Sequence, residues 1–284
     1  MKIIFVTPPF DLIKSAYASS SKIRRGYLPP LGIGYLAAAL KENGFSQVKL
    51  LDGTSMGIGE DDFISMLLKD SPDLIGISCM TASSNEAYKL ARGIKRLSNV
   101  LVVMGVPHAT DVCEEILQEE KSIDAVVTGE GEETIVEICS RLKEGKDLLN
   151  IKGVIFRSNG KIINNGRRLS KENLDNIPMP ARELYDHSLY CPLPNSHKRL
   201  PSTTIITARG CAYKKCAFCY TGGMQGQAFR RHSPQRVIEE IKILVNNYGI
   251  KEVQFLDSIF ILGSIPFSVG YKKRIITSKT RKHC

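Results

Sequence analysis

Nowhere in the 284-residue chain is there an apolar run approaching the 18 or so residues of a membrane-spanning helix, so no transmembrane segment is expected. No secretory leader is expected either. Met1-Lys-Ile-Ile-Phe-Val-Thr-Pro-Pro is a short apolar run halted by a proline pair, which reads as a first β-strand and implies a cytoplasmic protein. Acidic residues are wholly absent from 271–284, where Lys272, Lys273, Arg274, Lys279, Arg281 and Lys282 supply much of the net charge of +10. No aromatic stacking platform or nucleic-acid motif accompanies them. A solvated tail is expected, and no nucleic-acid partner.

What is present is ordinary globular material: 43% hydrophobic and 24% charged residues, in a chain long enough for two domains. Eight cysteines in a cytosolic protein point to metal binding or burial, not disulfides. Cys79, Cys113 and Cys139 fall in apolar patterns and should pack as small hydrophobes.

In the first half, strand-like runs at Lys2–Thr7, Val48–Asp52, Leu74–Cys79, Val100–Met104 and Ala125–Thr128 alternate with helical patterns near Gly32–Lys41, Asp61–Lys69, Asn85–Leu97, Asp111–Glu119 and Glu133–Lys143. The fold class is therefore α/β, with a doubly wound, Rossmann-like or flavodoxin-like parallel sheet of five strands over residues 1–150. Such sheets bind ligands beyond the carboxyl ends of their strands. The loops there read Thr7-Pro8-Pro9, followed by a long Ser-rich stretch; Asp52-Gly-Thr-Ser-Met-Gly57; Ser78-Cys-Met-Thr81; Met104-Gly-Val-Pro-His-Ala-Thr110; and Thr128-Gly-Glu-Gly-Glu-Glu-Thr134. Singly these are turn glycines and helix-opening acids. Residues 151–199 change character, with an Asn159-Gly160 hairpin and then a Pro-punctuated linker through Leu174–Leu184; Asp186, His187 and Cys191 there read as surface or packing residues.

The second domain, residues 200–284, opens with a strand at Thr203–Thr207 that empties into Arg-Gly-Cys211-Ala-Tyr-Lys-Lys-Cys216-Ala-Phe218-Cys219. Three thiols within nine residues are a soft-metal ligand set. Structural zinc needs a further ligand pair, but only His232, His283 and Cys284 follow. A plant-type [2Fe–2S] centre needs a fourth, distant cysteine such as Cys191 or Cys284. With three ligands, one iron of a cubane stays open. A helix capped by Ser233 with Pro234 at its first position, then a strand Glu252–Leu256 ending in Asp257-Ser258-Ile-Phe260, continue the opening of a β/α, TIM-like barrel, whose chemistry sits at the strand ends.

The cysteine loop, with its preceding Arg-Gly and its Phe218, resembles that of the radical S-adenosylmethionine (radical SAM) enzymes, with one residue more between Cys211 and Cys216 than the usual C-x3-C-x2-C. The resemblance implies that Cys211, Cys216 and Cys219 hold a [4Fe–4S] cluster whose open iron is chelated by SAM, with Phe218 and Asp257 near SAM; Ser258 stands where the family usually has a second acid. The loops of the first domain, as a set, resemble the cobalamin-binding domain, matching its Asp-x-His-x-x-Gly, Ser-x-Leu and Gly-Gly pattern with Asp52, Thr54, Gly57, Ser78, Met80, Met104 and Gly105. Thr54 replaces the cobalt-ligating His, as is common where such domains precede radical SAM barrels. Pro-Pro-Leu-Gly, Gly-x-Pro-His-Ala-Thr and Gly-Glu-Gly-Glu recur in that branch. The expected corrinoid site thus comprises Thr7, Pro8, Asp52, Thr54, Gly57, Ser78, Met80, Gly105, His108, Thr110, Gly129, Glu130 and Gly131, with small residues letting backbone approach a bulky ligand.

The resemblance implies reductive cleavage of SAM and, by preference, methyl transfer from cobalamin to an unactivated carbon of a small-molecule substrate, with electrons from a donor such as flavodoxin or ferredoxin. No catalytic side chain is identified. Ring formation or rearrangement, a non-catalytic corrinoid-binding fragment, and a [2Fe–2S] electron-transfer protein remain the alternatives. From Leu262 onward the βα pattern stops, so a C-terminally truncated or frameshifted barrel, or a fragment, is expected.

Overall fold

The computed structural model describes residues 1–10, 26–105, 107–193, 196–213, 215–219, 221 and 228–260. The Ser-rich stretch after Pro9, the basic tail and the expected break after Leu262 lie outside these residues. The chain divides into two compact units, one formed by Met1–Ser170 with Pro178–Leu193, the other by Lys171–Ile177 with Pro194–Cys284.

Strand β1 (Ile3–Thr7) sets the plan of the first unit, because both of its faces are apolar. Ile3 and Phe5 enter one core cluster with Ile33, Ala37 and Leu40 of helix α1 (Leu31–Glu42), while Ile4 and Val6 enter another with Phe63, Ile64 and Leu67 of the helix Glu60–Leu68. A strand covered on both sides must be near-continuously hydrophobic, as a parallel sheet requires. β2 (Val48–Asp52), β3 (Leu74–Ser78), β4 (Leu101–Gly105) and β5 (Ala125–Val127) join it in the order β2-β1-β3-β4-β5, all parallel. Gly76 of β3 faces Phe5 in register, and a Cβ on it would lie 2.5 Å from the Phe5 ring, so the sheet needs glycine there.

The five expected strands are present, but the sheet has seven. The hairpin assigned to the linker, β6 (Val154–Ser158) and β7 (Lys161–Asn164), is hydrogen-bonded antiparallel onto β5. Val154, Ile155 and Phe156 are buried and would otherwise leave both themselves and the β5 edge exposed. Asn159 (φ 49°) and Gly160 (φ 75°) supply the two positive φ angles of the tight turn.

In the second unit β8 (Ser202–Ile205) pairs in parallel with β11 (Glu252–Phe255), joined by helix α8 (Pro234–Tyr248). α8 lays Val237 and Leu244 against Ile205 and Ile250. Ser233 Oγ accepts the Arg236 amide at 3.2 Å, Pro234 occupies the first turn, and Gly249 (φ 62°) ends the helix. The expected strand Thr203–Thr207 stops at Ile205. Ala208–Arg209 (β9) then pairs antiparallel with Arg230–Arg231 (β10), forming the base of the cysteine loop.

Candidate functional site

Parallel pairing brings the strand exits of the first unit to one edge: Thr7 lies beside Asp52, and Ser78 beside Gly105. The chain winds one way from β1 to β2 and the other way from β3 to β5, so the order reverses between β1 and β3, the position at which doubly wound sheets take ligands. Thr7 Oγ1 donates to Asp52 Oδ1, the Thr54 amide lies 3.5 Å from Thr7 Oγ1, and Thr54 Oγ1 donates to Pro8 O at 3.0 Å. Ser55 Oγ donates to Asp52 O at 3.1 Å. Gly53 makes this closeness feasible, since a Cβ there would lie 2.8 Å from both Pro9 N and Thr7 O. The Thr54 hydroxyl is thus committed to a backbone carbonyl. Tyr190, which sequence reasoning passed over, is hydrogen-bonded to Ser55 and Asp52, and burial and the Asp52 charge raise its phenol pKa.

At the next exits, Cys79 N donates to Gly105 O at 3.1 Å and Met80 is half exposed. Gly105 leaves room: a Cβ would meet nothing nearer than Val127 O at 3.7 Å. Thr110 Oγ1 accepts the Gly129 amide at 3.1 Å, tying the loop after β4 to the loop after β5. Gly129 is in the left-handed region (φ 71°). Gly131 precedes the helix Glu132–Lys143, and a Cβ on it would meet Leu36 at 3.1 Å; Glu130 lies between these glycines, and Gly57 (φ 60°) closes the turn after Met56. His108 Nε2 is 2.8 Å from the Tyr88 hydroxyl, a partner that sequence periodicity conceals in a helix face. Open space at Gly105 and an exposed methionine beside it fit a large, largely apolar ligand such as a corrin.

In the second unit, Asp257 fastens the strand exit that leads to the cysteines. Its carboxylate accepts from Thr207 N at 2.6 Å, from Ala208 N at 2.8 Å and from the Thr207 hydroxyl. Gly210 (φ 83°) then turns the chain where a Cβ would lie 2.3 Å from Ala228 O. Cys211 is half-buried, and Cys216 and Cys219 are exposed. Cys219 N donates to Cys216 O at 3.1 Å, closing a turn, and Cys219 Sγ lies 3.1 Å from Thr221 Oγ1, whose hydrogen bonding holds the thiol pKa below its ordinary value. Phe218 is 93% exposed. Among the described residues no three His, Cys, Asp or Glu side chains converge as a metal cage, so the thiols stand on one fastened loop without being gathered to a point. The donor set is nonetheless three soft sulfurs in no disulfide, with Thr221 the partner of Cys219 among the described residues, and fits an iron–sulfur cluster.

Cys79 and Cys139 are buried in the core as expected, whereas Cys113 is only half-buried. Among the described residues no helix is long and apolar enough to cross a membrane.

Residues 24–139 match the family model of the B12 binding domain. An uncharacterized methyltransferase of Pyrococcus horikoshii is 38% identical over 264 residues, covering 92% of this chain and 54% of its own length. The anaerobic magnesium-protoporphyrin IX monomethyl ester cyclase of Rubrivivax gelatinosus is 25% identical over 88% of this chain and 44% of its own, so the chain spans about half the length of these relatives. In fold the chain is similar to the cobalamin-dependent S-adenosylmethionine radical enzyme OxsB (TM-score 0.78, 17% identity, 99% of this chain and 37% of that one). It is similar also to the radical SAM methyltransferase TsrM from Kitasatospora setae (TM-score 0.72, 20% identity, 98% and 52%). Over residues 24–139 the chain is thus matched by the B12 binding domain, and along most of its length it is similar to a methyltransferase and a cyclase and, in fold, to cobalamin-dependent radical SAM enzymes.

Proposed function

We propose that this chain takes part in cobalamin-dependent radical SAM methyl transfer to an unactivated carbon of a small molecule. The observation that carries the reading is the presence, in one chain, of a B12-binding sheet and a free three-thiol loop at a β/α strand exit. Methyltransferases among the relatives, including one named for cytidylyl-2-hydroxyethylphosphonate from Streptomyces wedmorensis (28% identical over 276 residues), support methyl transfer over other outcomes. When bound, the cluster, SAM and the corrinoid would supply the one-electron chemistry and the transferable methyl group. Cys211, Cys216 and Cys219 would hold the cluster, and Gly210 and Asp257 keep the loop's entry fixed. The exits of β1 to β5 would seat the corrinoid, with Thr54 presenting no imidazole to the cobalt. Phe218 and Asp257 would lie near SAM, and electrons would come from a flavodoxin- or ferredoxin-like donor.

Anaerobic reconstitution tests the reading. About four irons per chain, a cubane EPR signal, and 5′-deoxyadenosine formed from SAM under a strong reductant are expected. A fully protein-ligated two-iron centre and no corrinoid binding would refute it. The cyclase relatives favour a second reading, ring formation on a tetrapyrrole. It predicts SAM cleavage without methyl consumption.

A further inference from the structure

Where the cysteine loop leaves the β8–β11 sheet, every polar group of Thr207 is held. The paired strands end with Ile205 opposite Phe255, and the last bond runs from Leu256 N to Ile205 O at 2.9 Å. Beyond that point the ladder offers the Thr207 and Ala208 amides no acceptor, and a buried amide needs one. Both donate instead to a single carboxylate oxygen, Asp257 Oδ1, at 2.6 and 2.8 Å. The Thr207 hydroxyl donates to Oδ2, and Thr207 O accepts from His232 N at 2.8 Å. The direction of these bonds is not open to choice, because an amide N–H only donates and a carboxylate oxygen accepts. Thr207 is 4% exposed, so water does not compete for them.

The residues that follow are held in turn. Ala208 and Arg209 pair with Arg231 and Arg230, and Gly210 turns against Ala228 O. Cys211 comes next. The heading with which the chain enters the cysteines is therefore set at Thr207, by a side chain 50 residues further on, at the exit of the neighbouring parallel strand. The thiols beyond it are not gathered to a point. A loop whose entry is already fixed gives up less freedom on closing round a metal centre than one whose entry moves as well.

We propose that Thr207 is a positioning residue for the cluster: clasped by Asp257, it holds the loop entry in place before iron arrives, and Asp257 acts on the site through Thr207 and Ala208, not by touching SAM. This rests on the reading of Cys211, Cys216 and Cys219 as the cluster ligands. It gives a role to a threonine outside that set and changes the one that the sequence resemblance implies for Asp257.

The test compares full-length Thr207→Val, Thr207→Ser, Asp257→Asn, Asp257→Ala and the Thr207→Val/Asp257→Ala double variant with the wild-type chain. Hydrogen exchange is measured on the metal-free chain, with the amides of α8 as the control for folding. Iron release to a ferrous chelator is followed on the anaerobically reconstituted chain, and SAM binding is read from the change it makes in the cluster EPR spectrum. In the metal-free wild type the Thr207 and Ala208 amides should be protected, and in Asp257→Ala they should exchange freely while α8 stays protected. Thr207→Val should release iron about tenfold faster, the worth of one bond to a charged acceptor, and should add nothing in the Asp257→Ala background. Thr207→Ser, which keeps the hydroxyl, should match the wild type. Asp257→Asn keeps an oxygen for both amides, so it should hold iron and bind SAM within about threefold of the wild type. If Asp257→Ala leaves α8 unprotected, Thr207→Val against Thr207→Ser decides alone. Iron release unchanged in Thr207→Val, unprotected Thr207 and Ala208 amides in the wild type, or an Asp257→Asn chain that keeps its iron and loses SAM overturns the inference while leaving the cluster reading standing. Failure of the wild-type chain to take up iron removes both.

Discussion

Thr54, Gly76 and the seven described cysteines show how single residues decide what this chain can do. Thr54 spends its hydroxyl on Pro8 O and, in the corrinoid site proposed above, would present no imidazole to cobalt. Thr54→His should move the absorption spectrum of the bound corrinoid to a His-ligated form, whereas Thr54→Ala should leave it unchanged. Gly76 is pressed against Phe5, so Gly76→Ala should cost about 1–3 kcal/mol in denaturant unfolding, by overpacking a sheet with no slack. Burial raises the thiols of Cys79 and Cys139 to about 12, while Thr221 lowers that of Cys219. The thiolate is the reactive form, so an alkylating agent at pH 8 should modify Cys219 well before Cys79 or Cys139. Thr221→Val should slow Cys219 specifically, as read by peptide mass mapping.

Among the elements, the segment Lys171–Ile177 matters more than its linker-like sequence implies. Asp175 Oδ1 takes hydrogen bonds from His232 Nδ1 at 3.1 Å and from Ser233 N at 3.0 Å, and Arg230 reaches Lys171 O at 2.7 Å. The segment is thereby stitched to the strand that returns from the cysteine loop and to the cap of α8. Burial holds the imidazole of His232 below its ordinary value against the pull of Asp175. Burial alone would raise Asp175, but the bonds from Ser233 and His232 outweigh it and lower the carboxyl. Both groups are depressed in the fold, so both contributions are present at neutral pH; that of His232 is lost as pH falls from about 6.5 through its folded value, and that of Asp175 only as pH falls below about 3.8. Calorimetric unfolding of the second unit should therefore shift to lower temperature between pH 7 and pH 5, and His232→Gln should flatten that shift. Ser233→Ala should cost about 1 kcal/mol in the same unit through its lost cap.

At the scale of the whole molecule, two compact units with separate cores should respond to different ligands. Corrinoid binding to the native sheet should raise the melting temperature of the first unit progressively with corrinoid concentration, by mass action. Iron loading should raise that of the second, and Cys216→Ala should abolish only the latter. A single transition responding equally to both would contradict this division.

Much of this architecture was legible because it rests on local pattern. Strand and helix periodicity in residues 1–143, the Ser233-Pro234 cap and the Cys211, Cys216 and Cys219 spacing each announce themselves within a few residues, since period, turn chemistry and ligand type are short-range properties. The sequence by itself determined the alternation of strands and helices, the strand-exit loops and the three-thiol set. Only the tertiary structure decided that Val154–Asn164 belongs to the sheet, that Asp175 serves the return strand of the cysteine loop, that Asp257 braces that loop's entry, and that Tyr88 holds His108. Each of those depends on which residues distant in the chain meet once apolar faces are buried, and no short-range pattern encodes that choice.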